Sequence, residues 1–99
     1  MFLQSNIKVT EECIRKYSEM KLNKTYGYLI LSIKDDKEVV VEETGEKFPP
    51  TMTPAENENV YKEVRKKLLE NEAQPKFVLF DFKFETKDGK RQKLVFLNW

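Results

Sequence analysis

Residues 76–99, KFVLFDFKFETKDGKRQKLVFLNW, decide the fold of this chain. They hold two runs rich in β-forming residues, Lys76 to Thr86 and Arg91 to Trp99, separated by the turn Lys87-Asp88-Gly89-Lys90. The Asp-Gly pair favours a tight hairpin, so the two runs are predicted to pair as antiparallel strands. Apolar residues occur at both odd and even positions of each run, which is typical of strands covered on both faces of a sheet.

The residues upstream predict two helices and a second hairpin. Thr10 is a suitable N-cap for a helix that ends near residues 22–24. Residues 26–33 and 38–43 are rich in β-forming residues and are joined by a polar turn, so they are predicted to form the other hairpin. Thr53-Pro54 is a favourable start for the second helix, because threonine caps and proline suits the first helical position.

The predicted order is therefore α-β-β-α-β-β. It corresponds to a single α+β domain over residues 1–99, with a mixed or antiparallel central sheet of about four strands flanked by helices. Two helices of this length cover the two apolar faces of such a sheet only in part. The chain also reaches Trp99 while still in a strand pattern. We therefore expect an uncovered sheet face through which the protein could self-associate.

Composition argues against several classes of function. The net charge is +1, so no global field would attract nucleic acid. No apolar run approaches the ~20 residues that span a bilayer, and the N-terminus does not resemble a signal peptide. There is no histidine and only one cysteine, Cys13. The expectation is a cytoplasmic protein that is not an enzyme and holds no metal or cofactor. A hydrolase that uses carboxylates alone would need two facing acids, and the sequence shows no such pair.

Several ordered segments resemble the actin-depolymerising factor/cofilin family. They lie in the same order and at comparable spacings, and they are SNIKVTEEC at residues 5–13, YSEMKL at 17–22, KEVVVE at 37–42, FVLFDF at 77–82 and DGKRQKLVFLNW at 88–99. The sequence also departs from the family pattern. Asn6 stands where the family usually has glycine, and the loop from Phe48 to Pro54 is longer and richer in proline. The family's C-terminal helix-strand-helix has no counterpart before Trp99.

This resemblance implies a cytoskeletal protein that binds actin and modulates filament depolymerisation or severing. It implies filaments more than monomers as the partner, since the absent long helix is the family's chief contact with monomeric actin. The alternative is a truncated or degenerate member that acts as an interaction module for a partner other than actin.

The resemblance also supplies candidate contact residues. At the second hairpin they are Lys90, Arg91 and Lys93, where Arg91 and Lys93 project to one face of their strand. At the N-terminus they are Ser5, Asn6 and Ile7, with Ser5 as a possible phosphorylation site whose added negative charge would repel an acidic partner. The alternatives, from the residues alone, are a charged turn that keeps the hairpin soluble and an unstructured tail.

A second basic group lies on the predicted second helix, at Lys62, Arg65, Lys66 and Lys67. Phosphoinositide head groups or RNA phosphates could bind such a group. Because glutamates alternate with these cations, pairing between residues four apart on a solvated helix face is the preferred interpretation.

Overall fold

The computed structural model describes residues 2–4, 7–70 and 75–98. They form one six-stranded sheet with a helix on each face. The elements are β1 (Phe2–Gln4), β2 (Ile7–Val9), α1 (Glu11–Asn23), β3 (Tyr26–Lys34), β4 (Glu38–Glu46), α2 (Pro54–Leu69), β5 (Lys76–Thr86) and β6 (Gly89–Asn98). The α+β class and the order of the two helices and four long strands are confirmed.

The sheet has two more strands than the predicted four. Its strand order is β1-β2-β4-β3-β5-β6. The two short N-terminal strands pair antiparallel with each other, and β2 pairs parallel with the start of β4 through Lys8↔Glu38 and Val9↔Val39. Segments of three residues carry no readable alternation of apolar and polar side chains, which explains why the sequence did not predict them.

The N-terminal cap of α1 also joins the helix to the sheet. The hydroxyl oxygen of Thr10 accepts a hydrogen bond from the backbone N–H of Cys13 at 3.4 Å, and the hydroxyl donates to the carbonyl of Val39 at 2.8 Å. The helix ends at Asn23, and its C-cap residue Lys24 has a left-handed φ of 54°. One threonine thus satisfies a free helical N–H and fixes the helix against β4.

The cap of α2 is a full capping box. The side chain of Thr53 accepts from the backbone N–H of Glu56, and the Glu56 carboxylate accepts from the backbone N–H of Thr53. That backbone hydrogen bond is also the main reason that the pKa of Glu56 lies below its ordinary value. Pro54 occupies the first helical turn, where its missing N–H has no cost.

The two hairpins turn in different ways. Between β3 and β4, Asp35 and Asp36 both have positive φ, 52° and 56°, as a type I′ turn requires. Between β5 and β6 the left-handed position is Gly89, with φ of 114°, which pairs with Thr86. The Asp88-Gly89 pair therefore predicted the position of the second turn correctly. The two central residues of that turn, however, are Lys87 and Asp88.

The sheet divides the core into two layers. On the α1 face the buried residues are Ile7, Cys13, Met20, Leu29, Leu31, Val39 and Leu79. On the α2 face they are Ile30, Phe48, Val64, Leu68, Val78 and Phe80. Since β5 contributes to both layers, the prediction from its alternating residues is confirmed.

The two faces differ in how well they are closed. The α2 face holds a cluster of rings around Phe80, whose centroid lies 4.7 Å from that of Phe82 and 5.4 Å from that of Tyr61. On the α1 face, a groove of about 640 Å³ remains between α1 and the last two strands, with Phe77, Leu79, Leu94 and Phe96 among its lining residues. Phe96 is 52% exposed. This groove corresponds to the expected uncovered face.

Candidate functional site

The last hairpin extends beyond the sheet as a two-stranded arm. Among the described residues, strand β5 pairs with β3 from Lys76 to Phe80, whereas it pairs with β6 from Phe77 to Thr86. We call residues 82–93 the hairpin arm. Exposure rises along it, from the partly buried Phe82 to a tip that is exposed on both strands.

The hairpin arm has an excess of positive charge. It carries Lys83, Lys87, Lys90, Arg91 and Lys93 against two acids, Glu85 and Asp88, in a chain whose net charge is only +1. From Lys87 onwards its cations are all exposed. Within residues 7–70 and 75–98, the ion pairs closer than 4 Å use Arg15, Lys62, Lys67 and Lys76 as cations, and none uses a cation of the arm.

The three predicted cations of the arm lie on two faces. Arg91 pairs with Phe84 and Lys93 with Phe82, so both side chains belong to the face that continues the α2 side. Lys90 pairs with Glu85 and belongs to the opposite face. A shallow cleft of about 220 Å³ adjoins Arg91, where the arm meets the proline-rich loop around residues 50–54. Arg91 and Lys93 can therefore contact one flat surface together. Lys90 lies on the opposite face and could contact that surface only at its edge.

Asn57 of α2 holds the root of the arm in place. Its side-chain N–H donates to the carbonyl of Asp81 at 3.0 Å, and its carbonyl oxygen accepts from the backbone N–H of Lys83 at 3.0 Å. These backbone groups lie on the side of β5 that β3 no longer covers. Asn57 is 1% exposed. Its side chain takes the place of the β3 backbone as the hydrogen-bond partner of β5 where the arm begins.

Sequence reasoning missed this role of Asn57, although a signal was present. The residue lies three, four and seven positions before Val60, Tyr61 and Val64, so it occupies the apolar stripe of α2. A polar side chain that is buried in such a stripe usually has hydrogen-bond partners.

Asp81, the acid among the aromatic residues of β5, is buried at the same root. Its Oδ2 accepts a hydrogen bond from the side chain of Gln92 on β6. The bond ties the two strands of the arm together where they leave the sheet.

The N-terminal candidates lie at the other edge of the sheet. Ser5 and Asn6 fall outside the described residues. Ile7 is 9% exposed and packs in the core on the α1 side of the sheet. Its side chain therefore anchors β2 to the core and is not available to a partner. Four strand spacings separate β2 from β6, roughly 19 Å at about 4.8 Å each. The structure thus does not bring the two predicted groups together.

Three of the four basic residues of α2, Lys62, Arg65 and Lys67, have partners within the protein. Lys62 pairs with Glu58 one turn earlier, at 3.7 Å. Lys67 crosses to Glu43 of β4 at 2.8 Å, and this hydrogen bond is the main reason that the pKa of the Glu43 carboxyl lies below its ordinary value. Arg65 also has a partner. These pairs agree with the preferred interpretation of a solvated, internally paired helix face.

Cys13 is buried beside β4, with 2% exposure, and its thiol donates to the carbonyl of Val39 at 3.1 Å. Burial is the main cause of its raised pKa, which disfavours the reactive thiolate.

Neither described helix is apolar over a length that could cross a membrane.

Comparison with known proteins places these features in a family context. Residues 6–99 match the family described as cofilin/tropomyosin-type actin-binding protein. The chain is similar to cofilin of Mycosarcoma maydis, with 31% identity over 99 residues that cover 98% of this chain and 62% of the relative. It is also similar to actophorin of Acanthamoeba castellanii, with 29% identity over 96 residues that cover 96% of this chain and 61% of the relative. The chain thus spans less than two thirds of these relatives.

A solved structure supports the same fold. Actin depolymerization factor 2 of Plasmodium berghei superposes with a TM-score of 0.79 at 20% identity, over 98% of this chain and 64% of that one. At this identity the likeness concerns the arrangement of the strands and helices, which the two chains share.

Proposed function

The chain belongs to the cofilin/tropomyosin-type actin-binding protein family, and from this premise we propose that it binds actin filaments through the hairpin arm, without catalysing a reaction. The observation that carries the proposal is the exposed group of cations, in excess over the acids of the arm, on a strand pair that extends beyond the sheet. Such a group is attracted to an acidic protein surface, and the attraction speeds encounter as well as stabilising contact.

Arg91 and Lys93 are the proposed centre of the contact. They alternate along β6 and so share one face, while Lys90 and Lys87 add charge at the tip. The arm holds them away from the body of the protein, which lets them approach a surface that the sheet itself would not reach. Binding in this manner would modulate filament depolymerisation, in the cytoskeleton of the cytoplasm.

The N-terminal segment is proposed as a second, separate contact. Strand β2, which follows Ser5 and Asn6 in the sequence, lies towards the opposite edge of the sheet, roughly 19 Å from β6. A partner that meets both places must be extended, and this favours a filament over a small ligand. Phosphorylation of Ser5 would add charge of about −1.5 to −2 and weaken the second contact by repulsion from an acidic surface.

Co-sedimentation with actin filaments tests the proposal. The protein should pellet with filaments at low ionic strength, and less should pellet at about 0.15 M salt, where the Debye length is about 8 Å. Ser5→Glu should reduce the pelleted fraction, and Ser5→Ala is its matched control. Absence from the pellet at every salt concentration would contradict filament binding. Equal pelleting of the two Ser5 variants would remove only the N-terminal contact.

The open groove on the α1 face favours a second candidate function, an interaction module for a partner other than actin. Its lining is mainly apolar, with Lys21 and Lys24 at one end. A protein that failed to pellet with filaments but remained folded would leave this second function as the better account.

A further inference from the structure

A small cleft separates the hairpin arm from the loop that joins β4 to α2. We call it the loop–arm cleft, and its volume is about 220 Å³. One wall is the loop and the other is the arm, and the lining residues include Pro50, Met52, Pro54, Phe84, Lys90 and Arg91. Both walls are held by contacts within the described chain, so these contacts set the shape of the cleft.

The loop wall is held in one conformation. The backbone N–H of Met52 donates to the carbonyl of Pro49 at 3.0 Å, which closes a turn around Pro50. Each proline also fixes its own φ. Phe48 anchors the start of the loop, since it is 9% exposed and its ring centroid lies 5.4 Å from that of Phe80. The loop therefore forms a stable surface beside the arm.

Asn57 joins the loop wall to the arm wall. Its Nδ2 lies 3.9 Å from the Sδ of Met52 and donates to the carbonyl of Asp81 at 3.0 Å. Its side-chain oxygen accepts from the backbone N–H of Lys83 on the arm. Because both walls are positioned in advance, a partner that enters the cleft loses little affinity to the ordering of the protein.

The size and lining of the cleft restrict what it can hold. Pockets for cofactors and drug-sized molecules are larger, roughly 300–1,000 Å³. Met52 and Pro54 are partly exposed and Phe84 is 38% exposed, so apolar side chains form part of the surface. Lys90 and Arg91 line it as well, and none of the described residues that line it is acidic. This combination suits one apolar side chain next to a carboxylate.

We propose that the loop–arm cleft binds an acidic segment of a protein partner, with one apolar side chain of that segment between Met52 and Phe84 and a neighbouring carboxylate on Arg91. The inference rests on the proposed filament contact of the arm and names what the arm recognises there. An apolar side chain seated in a small pocket contributes affinity by leaving water. The guanidinium can donate two parallel N–H bonds to a carboxylate.

Chemical-shift mapping with short peptides tests the cleft directly. The probe is the acetylated and amidated tripeptide Asp-Leu-Asp, added at millimolar concentration to the isotope-labelled chain. The backbone amides of Met52, Phe84 and Arg91 should shift and approach saturation. Asp-Gly-Asp keeps the charge and Lys-Leu-Lys keeps the apolar side chain, and each should bind at least about tenfold more weakly.

Two results of the mapping would overturn the proposal. Shifts of equal size and affinity with Asp-Gly-Asp or with inorganic phosphate would show that the arm attracts any anion and that the apolar part of the cleft has no role. Unchanged amides at Met52, Phe84 and Arg91 in the presence of Asp-Leu-Asp would show that the cleft does not bind the segment.

Phe84→Ala removes an apolar wall of the cleft and keeps every charge. It should weaken binding of Asp-Leu-Asp about tenfold. Leu22→Ala removes another exposed apolar side chain, on α1 and 76% exposed, and as the matched control it should bind like the original chain. Unchanged binding in a folded Phe84→Ala, checked by circular dichroism, would overturn the proposal. Should that variant fail to fold, the comparison of the three peptides still decides.

Filament pelleting separates this inference from the proposed function. At about 0.15 M salt, where the attraction between charges is screened, Phe84→Ala should pellet less than the original chain and Leu22→Ala should pellet equally. If all three pelleted equally, filament binding would stand and the inference would be overturned. If none pelleted although Asp-Leu-Asp bound the cleft, filament binding would fail and the cleft would stand as the site for an acidic segment.

Discussion

The base and the arm of the last hairpin are one continuous pair of strands with opposite properties. In the base, Val78 and Phe80 are 0% exposed, and β5 is flanked by β3 and β6. In the hairpin arm, the strands pair with each other and with no other described strand, and the residues from Phe84 to Lys93 are exposed. The same backbone geometry therefore serves the core at one end and presents charge at the other.

This difference separates stability from recognition along a single element. Substitutions in the base should change the free energy of unfolding, because they remove buried contacts. Substitutions at the tip should leave that free energy nearly unchanged and alter binding, because the tip residues touch solvent. Asn57 marks the boundary, since its two hydrogen bonds join α2 to the strand where the arm begins.

Phe80→Ala should give the largest effect on stability. The ring is fully buried among Tyr28, Phe48, Tyr61 and Phe82, and its removal leaves a cavity that costs about 3–5 kcal/mol. Urea unfolding followed by circular dichroism measures the loss. Phe84→Ala, on the same strand face but 38% exposed, is the matched control and should cost under about 1 kcal/mol. Similar losses for the two variants would contradict the division between base and arm.

Asn57→Ala should give an intermediate effect. It leaves the carbonyl of Asp81 and the N–H of Lys83 without their partner, at a cost of about 1–3 kcal/mol. Hydrogen exchange at the Lys83 amide should become faster, because the root of the arm loses its tie to α2. Asn59→Ala, two residues away and exposed, should change neither quantity. An unchanged exchange rate at Lys83 in Asn57→Ala would show that the strands hold the arm unaided.

The sequence predicted the elements that carry strong local signals. Thr10 and Thr53 act as the caps that their positions predicted. The alternation of Phe77, Val78, Leu79 and Phe80 correctly assigned β5 to both core layers. These features depend on neighbouring residues along the chain, so periodicity and capping rules are sufficient to find them.

The sequence could not predict features that depend on contacts between distant elements. The pairing of β2 with β4 joins residues about thirty positions apart, as in Lys8↔Glu38. Asn57 reaches Asp81 across 24 positions. The placement of Ile7 in the core and the separation of the N-terminal segment from the arm follow from the same sheet order. The contact role of Lys90, Arg91 and Lys93 stays a prediction.

The affinity of an arm variant for actin filaments tests most directly whether the hairpin arm is the contact. The substitutions should leave the fold unchanged and weaken binding. Arg91→Ala/Lys93→Ala should match the original chain in urea unfolding, yet bind actin filaments about tenfold more weakly at low salt, a loss of about 1.4 kcal/mol. Its affinity should also fall less steeply as salt is raised, because fewer charges remain to be screened. Lys62→Ala/Lys66→Ala on α2 removes the same charge elsewhere and should bind like the original chain. If the two double variants bound filaments with equal affinity and equal salt dependence, the arm would not be the contact.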